Sequence, residues 1–132
     1  MNSFLDNFIL RFYPRSSEKI KEIVESNVLL DKLVTAVYNK VDNYIQKRVD
    51  VSERIIILTQ ILHDWRVGAY KTISYKNISI SIFVLMYYVS PYDFVPDFIP
   101  FIGKKDDDFV LKKGLIYLDE EIKKYKNWKE QQ

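Results

Sequence analysis

The sequence predicts an all-α fold, a compact bundle of about five helices with a proline-rich loop before the last one. Three observations predict it. Apolar residues recur at three- and four-residue intervals through most of the chain. No segment alternates apolar and polar residues for long, and no hairpin-turn dipeptide joins two such runs. Serine, asparagine or aspartate stands ahead of each apolar-periodic run, where a helix needs its free N–H groups met.

At 132 residues the chain has the size of one domain, 1–132, large enough to bury a core unaided. Hydrophobic residues make up 48% and charged residues 29%, a globular composition. There is no cysteine, which excludes disulfides, thiol nucleophiles and zinc fingers, and the single histidine excludes a His-rich metal centre. Twenty basic against 18 acidic side chains give a net charge of +2, with no basic arm or acidic tail. Nucleic acid is therefore not an expected partner.

Phe4, Leu5, Phe8, Ile9 and Phe12 share one helical face and Pro14 ends the run. A short helix over the core fits better than an interfacial anchor, because the polar face is not lysine-rich. There is no basic n-region or small-residue cleavage site, so a secretory signal is not expected. Ser16 or Ser17 can cap a helix to about Ser26, with Ile20, Ile23 and Val24 inward. Asn27 is the expected cap of the next helix, whose apolar positions are Leu30, Leu33, Val34, Val37, Val41, Tyr44 and Ile45. Asp50 with Glu53 resembles a capping box. It opens a helix with Ile56, Ile57, Ile61, Leu62 and Trp65 inward, stopped at Gly68. Ser74 can cap a fourth helix over 75–89, whose second half is almost wholly apolar or aromatic. The last helix is expected to start near Asp106 and to run unbroken through Leu111, Leu115, Leu118, Ile122 and Tyr125, with Asp119–Lys123 and Glu120–Lys124 as i,i+4 pairs.

Residues 87–110 hold three of the four prolines, Pro91, Pro96 and Pro100, and one of the three glycines, Gly103. Ser90 can cap a short turn, Pro91 suits its first helical position, and Asp93 can reach back to the Ser90 amide. Val89 and Phe94 would form the hydrophobic staple. Pro96 and Asp97 suit a tight turn, and Gly103 admits a positive φ. Asp106, Asp107 and Asp108 complement the free amides of the helix that follows. Capping and turn chemistry thus account for each unusual residue without a ligand.

The pattern Ser90, Pro91, Asp93, Pro96, Asp97, Pro100, Gly103, Asp106, Asp107 resembles the core motif of the YkvA-like family, small bacterial and archaeal proteins with a domain of unknown function. Nine fixed positions in 18 carry it. The likeness takes in the aromatic-aliphatic residues 85–89, Gly68 and Tyr70 upstream, and more loosely Trp128. It covers about 55–130 and leaves 1–50 as additional N-terminal helices. Ser74 stands where such relatives carry proline, and Lys104 and Lys105 where apolar residues are common. The resemblance implies no enzymatic activity and no cofactor. It also implies an association of some members with membranes, and a related domain occurs on membrane-resident ubiquitin-ligase chains.

The function expected is a non-catalytic binding or docking module for a protein partner or a membrane-associated protein, cytoplasmic or at a membrane. The uncharged stretch 77–92 has 16 residues, about 24 Å as a helix against about 30 Å of hydrocarbon, so a buried core helix is expected rather than a span. Membrane or partner contact would then be peripheral, through Phe94, Phe98 or Phe101. Asp93, Asp97, Asp106 and Asp107 could converge on a divalent cation, but no dedicated loop spacing is present and capping uses the same acids, so no metal and no acid-cluster enzyme is expected. His63 and Asp64 are helix neighbours that are not expected to face each other, so no Ser–His–Asp triad is built on them. The lysines 112, 113, 123, 124, 126 and 129 are balanced by acids and are expected on a solvated face. Ten tyrosines, seven after residue 69, exceed what the core requires and suggest an interface.

Overall fold

A computed structural model describes the backbone of residues 18–44, 49–89 and 104–132, and the side chains of 18–41, 53–89 and 111–132. The described residues form α1 (18–25), α2 (Asn27–Tyr44), α3 (Val49–Arg66), α4 (Tyr75–Val89), α5 (Lys104–Tyr117) and α6 (Asp119–Glu130). No strand occurs among them. The helix expected over Phe4–Phe12 and the caps at Ser16 and Ser17 lie outside the described residues, as do the side chains of Tyr44, Ile45 and Asp50.

The centre is α4, where every side chain over 78–88 is buried. A helix apolar on all sides needs neighbours on all sides, and α2, α3 and α5 supply them. From α2 come Leu30, Leu33, Val37 and Val41, all buried as the spacing predicts. Helix α4 begins where Ser74 predicts, with the Asn77 amide donating to Ser74 Oγ at 3.1 Å. Ser81 returns its hydroxyl to the Asn77 carbonyl at 2.7 Å, which lets a polar residue sit in this core. Gly114 of α5 faces Val84 of α4, and a Cβ there would overlap Val84 Cγ2. The missing side chain is what lets α5 approach α4 so closely.

Four expectations are corrected. The cap of α2 is Ser26, not Asn27: Ser26 Oγ accepts from the Leu29 amide at 3.2 Å. The inward face of α3 is Ile55, Leu58, Ile61 and Leu62, with Ile56, Ile57 and Trp65 only partly buried against it. A run of four consecutive aliphatic residues, 55–58, carries no period, so it cannot fix the rotation of the helix. The closing helix is two helices that part at Leu118, although Leu118 donates to the Gly114 carbonyl at 3.0 Å and accepts from the Ile122 amide at 2.9 Å. The stripe Leu111, Leu115, Leu118, Ile122, Tyr125 is buried straight through the break, so periodicity alone does not register it. Lys124 does not serve Glu120: it donates to the Thr72 carbonyl at 2.8 Å and lies 3.9 Å from Glu121, whereas the Asp119–Lys123 pair forms as expected at 3.1 Å.

Helix α3 ends as Gly68 predicts. Gly68 has φ +82°, its amide donates to the Trp65 carbonyl at 3.1 Å, and the Ala69 amide donates to the Asp64 carbonyl at 2.8 Å. These are the two bonds of a Schellman stop. Residues 67–74 then run alongside α6 before α4 begins.

Candidate functional site

In the sequence the motif of Ser90 to Asp107 follows α4, which ends at Val89, and runs into α5, which begins at Lys104. Its side chains, including those proposed for caps, for cation binding and for contact (Phe94, Phe98, Phe101), lie outside the described residues. Asp106 and Asp107 belong to the α5 backbone, close to its start as expected. The frame of the motif is defined. Lys40 of α2 donates to the Tyr88 carbonyl and lies 5.0 Å above the Tyr88 ring. A cation at the last carbonyls of α4 offsets the negative end of that helix.

The second constellation sits where α3, the 67–74 segment, α4 and α6 meet. Tyr70 is buried and inserts between Tyr125, edge-on with ring centroids 5.1 Å apart, and Trp128, at 5.0 Å. Tyr70 and Trp128, singled out separately in the sequence, thus touch. Two carboxylates run through this aromatic cluster. Glu121 accepts from the Tyr70 hydroxyl at 2.5 Å and from Asn77 Nδ2 at 2.9 Å. Asp64 accepts from the Tyr125 hydroxyl at 2.6 Å and from Lys129 Nζ at 3.2 Å. His63 Nδ1 lies 3.2 Å from Asp64 Oδ1, so these neighbours do meet, contrary to expectation. The His63 side chain is exposed, that of Asp64 largely buried.

The electrostatics follow from the donors. Burial opposes the charge on Asp64, but the hydrogen bonds from Tyr125, His63 and Lys129 outweigh it, and the carboxyl is held below its ordinary range. Burial, and then the hydrogen bond to an adjacent carboxylate, push the Tyr70 and Tyr125 phenols well above theirs. Both oxygens of Glu121 and Oδ2 of Asp64 accept from protein donors, and Asp64 Oδ1 lies beside His63 Nδ1. That arrangement joins α3, the 67–74 segment, α4 and α6. Among the described residues no group of three or more His, Asp or Glu could hold a metal ion.

The sequence did not disclose this cluster, because its partners are 44 to 65 residues apart. Two signals pointed to it: the Gly68–Tyr70 element and Trp128. The tyrosine surplus has the same explanation in part. Tyr70, Tyr87, Tyr88 and Tyr125 are core residues, while Tyr75 is exposed.

A family model described as a protein of unknown function (DUF1232) matches residues 78–112. That span is α4, the motif and the first part of α5. The "uncharacterized membrane protein YkvA" of Bacillus subtilis (strain 168) is 35% identical over 79 residues, covering 58% of this chain and 73% of that protein. The chain belongs to the YkvA-like family. No solved structure matches it. The family's matched segment includes the most buried helix of the bundle, so its hydropathy coincides with core formation. Among the described residues no helix is long and apolar enough to cross a membrane.

Proposed function

We propose that this chain is a non-catalytic helical docking module that works at a membrane surface, on lipid headgroups or on a membrane-resident protein, without spanning the bilayer. The observation that carries this reading is the burial of α4 on every face. Its apolar surface is already spent on α2, α3 and α5, so membrane contact falls to surface residues and to the motif. The name of the Bacillus subtilis relative, a membrane protein, supports the location. The two buried carboxylates are committed to fixed donors within the fold, which supports binding over catalysis.

In this reading the motif is a shaped presentation loop. The sequence predicts Ser90, Pro91 and Asp93 as the cap of a first turn, Pro96, Asp97, Pro100 and Gly103 as turn residues, and Asp106 and Asp107 as acids near the start of α5. Phe94, Phe98 and Phe101 would then supply the apolar contacts, at a cytoplasmic face. Cell fractionation tests the reading. The protein should enter the membrane fraction and leave it under alkaline or high-salt washing. Retention in the membrane until detergent is added would overturn it in favour of a span, and complete absence from that fraction would remove the membrane.

A further inference from the structure

We propose that α6 is an exchangeable element: it swings out about Leu118 and seats in the same place on a second copy of this chain, giving a domain-swapped dimer. The proposal does not depend on the membrane reading. The seat of α6 is built from α3, the 67–74 segment and α4, and most of what holds it there is polar. Arg54 pairs with Asp119 at 2.7 Å, Tyr70 and Asn77 donate to Glu121, Lys124 donates to the Thr72 carbonyl, and Tyr125 and Lys129 Nζ donate to Asp64. Of the side chains of α6 only Glu121, Ile122 and Tyr125 are buried. The partners in these bonds stand 44 to 65 residues back along the chain. None of the bonds therefore requires both halves to come from one molecule. The α6 of a second copy carries the same groups in the same order and fits the same seat.

The hinge is a single residue. Helix α5 ends at Tyr117, α6 begins at Asp119, and Leu118 between them has φ −89° and ψ 4°. Helical bonds already cross it, from the Leu118 amide to the Gly114 carbonyl and from the Ile122 amide to the Leu118 carbonyl. No glycine or proline follows Gly114, so no local breaker marks the break. The stripe Leu111, Leu115, Leu118, Ile122, Tyr125 keeps helical spacing straight through it. No side chain caps α6 at Leu118, whereas a continuous helix would meet the same amides from its own preceding turn.

Local preference and tertiary contacts therefore disagree at this point. The sequence favours one helix over 104–130, and the bonds to α3, the 67–74 segment and α4 hold α6 away from that line. Turning ψ of Leu118 by about 45° brings it to the helical value and lifts α6 from its own seat. In the swapped dimer both demands are met: the helix is continuous and every seat is filled. Short hinges with such a conflict are where identical elements exchange, and the product is a two-fold dimer. Ile116, two residues before the hinge, is 52% exposed, so the crossing of the two chains has apolar surface to cover.

Isotope mixing of the full chain tests the proposal. Equal amounts of ordinary and isotopically heavy protein are unfolded in urea, refolded together at high concentration and separated by size. Each fraction is treated with a carbodiimide, which joins a carboxylate to a lysine in contact with it. Asp64 and Lys129 lie 3.2 Å apart across the seat, so their joined peptides report which chain supplied α6. The signal is assigned by its loss in Lys129→Gln, a change at an exposed side chain. Monomer should give pairs of one isotope only. Dimer should give mixed pairs as about half of the total, the share expected for random pairing with every seat swapped. Its share should rise with protein concentration. A chain that stays monomeric after refolding at high concentration, or a dimer whose Asp64–Lys129 pairs all carry one isotope, would overturn the proposal.

Discussion

Tyr70 donates its hydroxyl to Glu121, 51 residues further along the chain, at 2.5 Å with both side chains buried. The bond ties the segment after α3 to α6, and Asn77 extends it to α4. Tyr70→Phe leaves Glu121 with one donor fewer. The expected loss is roughly 1.5–3 kcal/mol, as for a buried hydrogen bond to a charged group. Glu121→Gln should cost less, because a side-chain amide can still accept from Tyr70. Urea denaturation of the three proteins would check the order.

Asp64 makes stability depend on pH. Its carboxyl is held below the ordinary value by Tyr125, His63 and Lys129 against the opposing effect of burial. A depressed carboxylate stabilises the fold above its unfolded pKa, and that contribution is lost as pH falls through the folded value. The thermal midpoint of the wild type should therefore drop from about pH 5 downward. In Asp64→Asn this part of the acid dependence should be missing, with a lower midpoint at neutral pH. At the alkaline end the signs reverse: Tyr70 and Tyr125 are held protonated, so their tyrosinate absorbance should emerge only with unfolding.

Gly114 and Val84 form a coupled pair. Alanine at Gly114 would gain about 1 kcal/mol of helix propensity, but its Cβ would overlap Val84 Cγ2. Overpacking of this kind costs about 1–3 kcal/mol, so the net effect should be destabilising. Val84→Ala should relieve the overlap. The double variant should therefore be more stable than the sum of the single changes by about 0.5 kcal/mol or more, measured as a double-mutant cycle.

Gly68 isolates a backbone effect. Nothing lies within 4 Å of a Cβ built there, so Gly68→Ala meets no neighbour and feels only its φ of +82°. The expected cost is about 1–2 kcal/mol. Asparagine, which tolerates this conformation, should cost less. Equal stability of the alanine and glycine proteins would remove the Schellman stop from the account.

Local signals were legible and distant ones were not. Ser74 as a cap, Gly68 as a stop and the stripe from Leu111 to Tyr125 depend on neighbours within four residues, and the sequence displays them. The face of α3 was misread because four adjacent aliphatic residues give no phase. The cap of α2 was displaced by one residue because serine and asparagine stand side by side at 26 and 27. The pairing of Asp64 with Tyr125 and of Tyr70 with Glu121 depends on how α6 crosses α3, which no local pattern encodes. The burial of residues 78–88 as a core helix was legible from length and charge, since the uncharged stretch 77–92 is short for a bilayer.

The burial of α4 is the central claim, and one cysteine tests it. The chain has none of its own, and Ser79, near the start of the buried stretch 78–88, is fully buried with no hydrogen-bond partner for its hydroxyl among the described residues. Ser79→Cys should therefore be tolerated. In detergent-free buffer a water-soluble maleimide should fail to label Cys at this position until urea unfolds the protein, with the labelling midpoint matching that of the helical signal. Immediate labelling without urea, or a protein that stays dispersed only in detergent, would contradict a bundle built around α4.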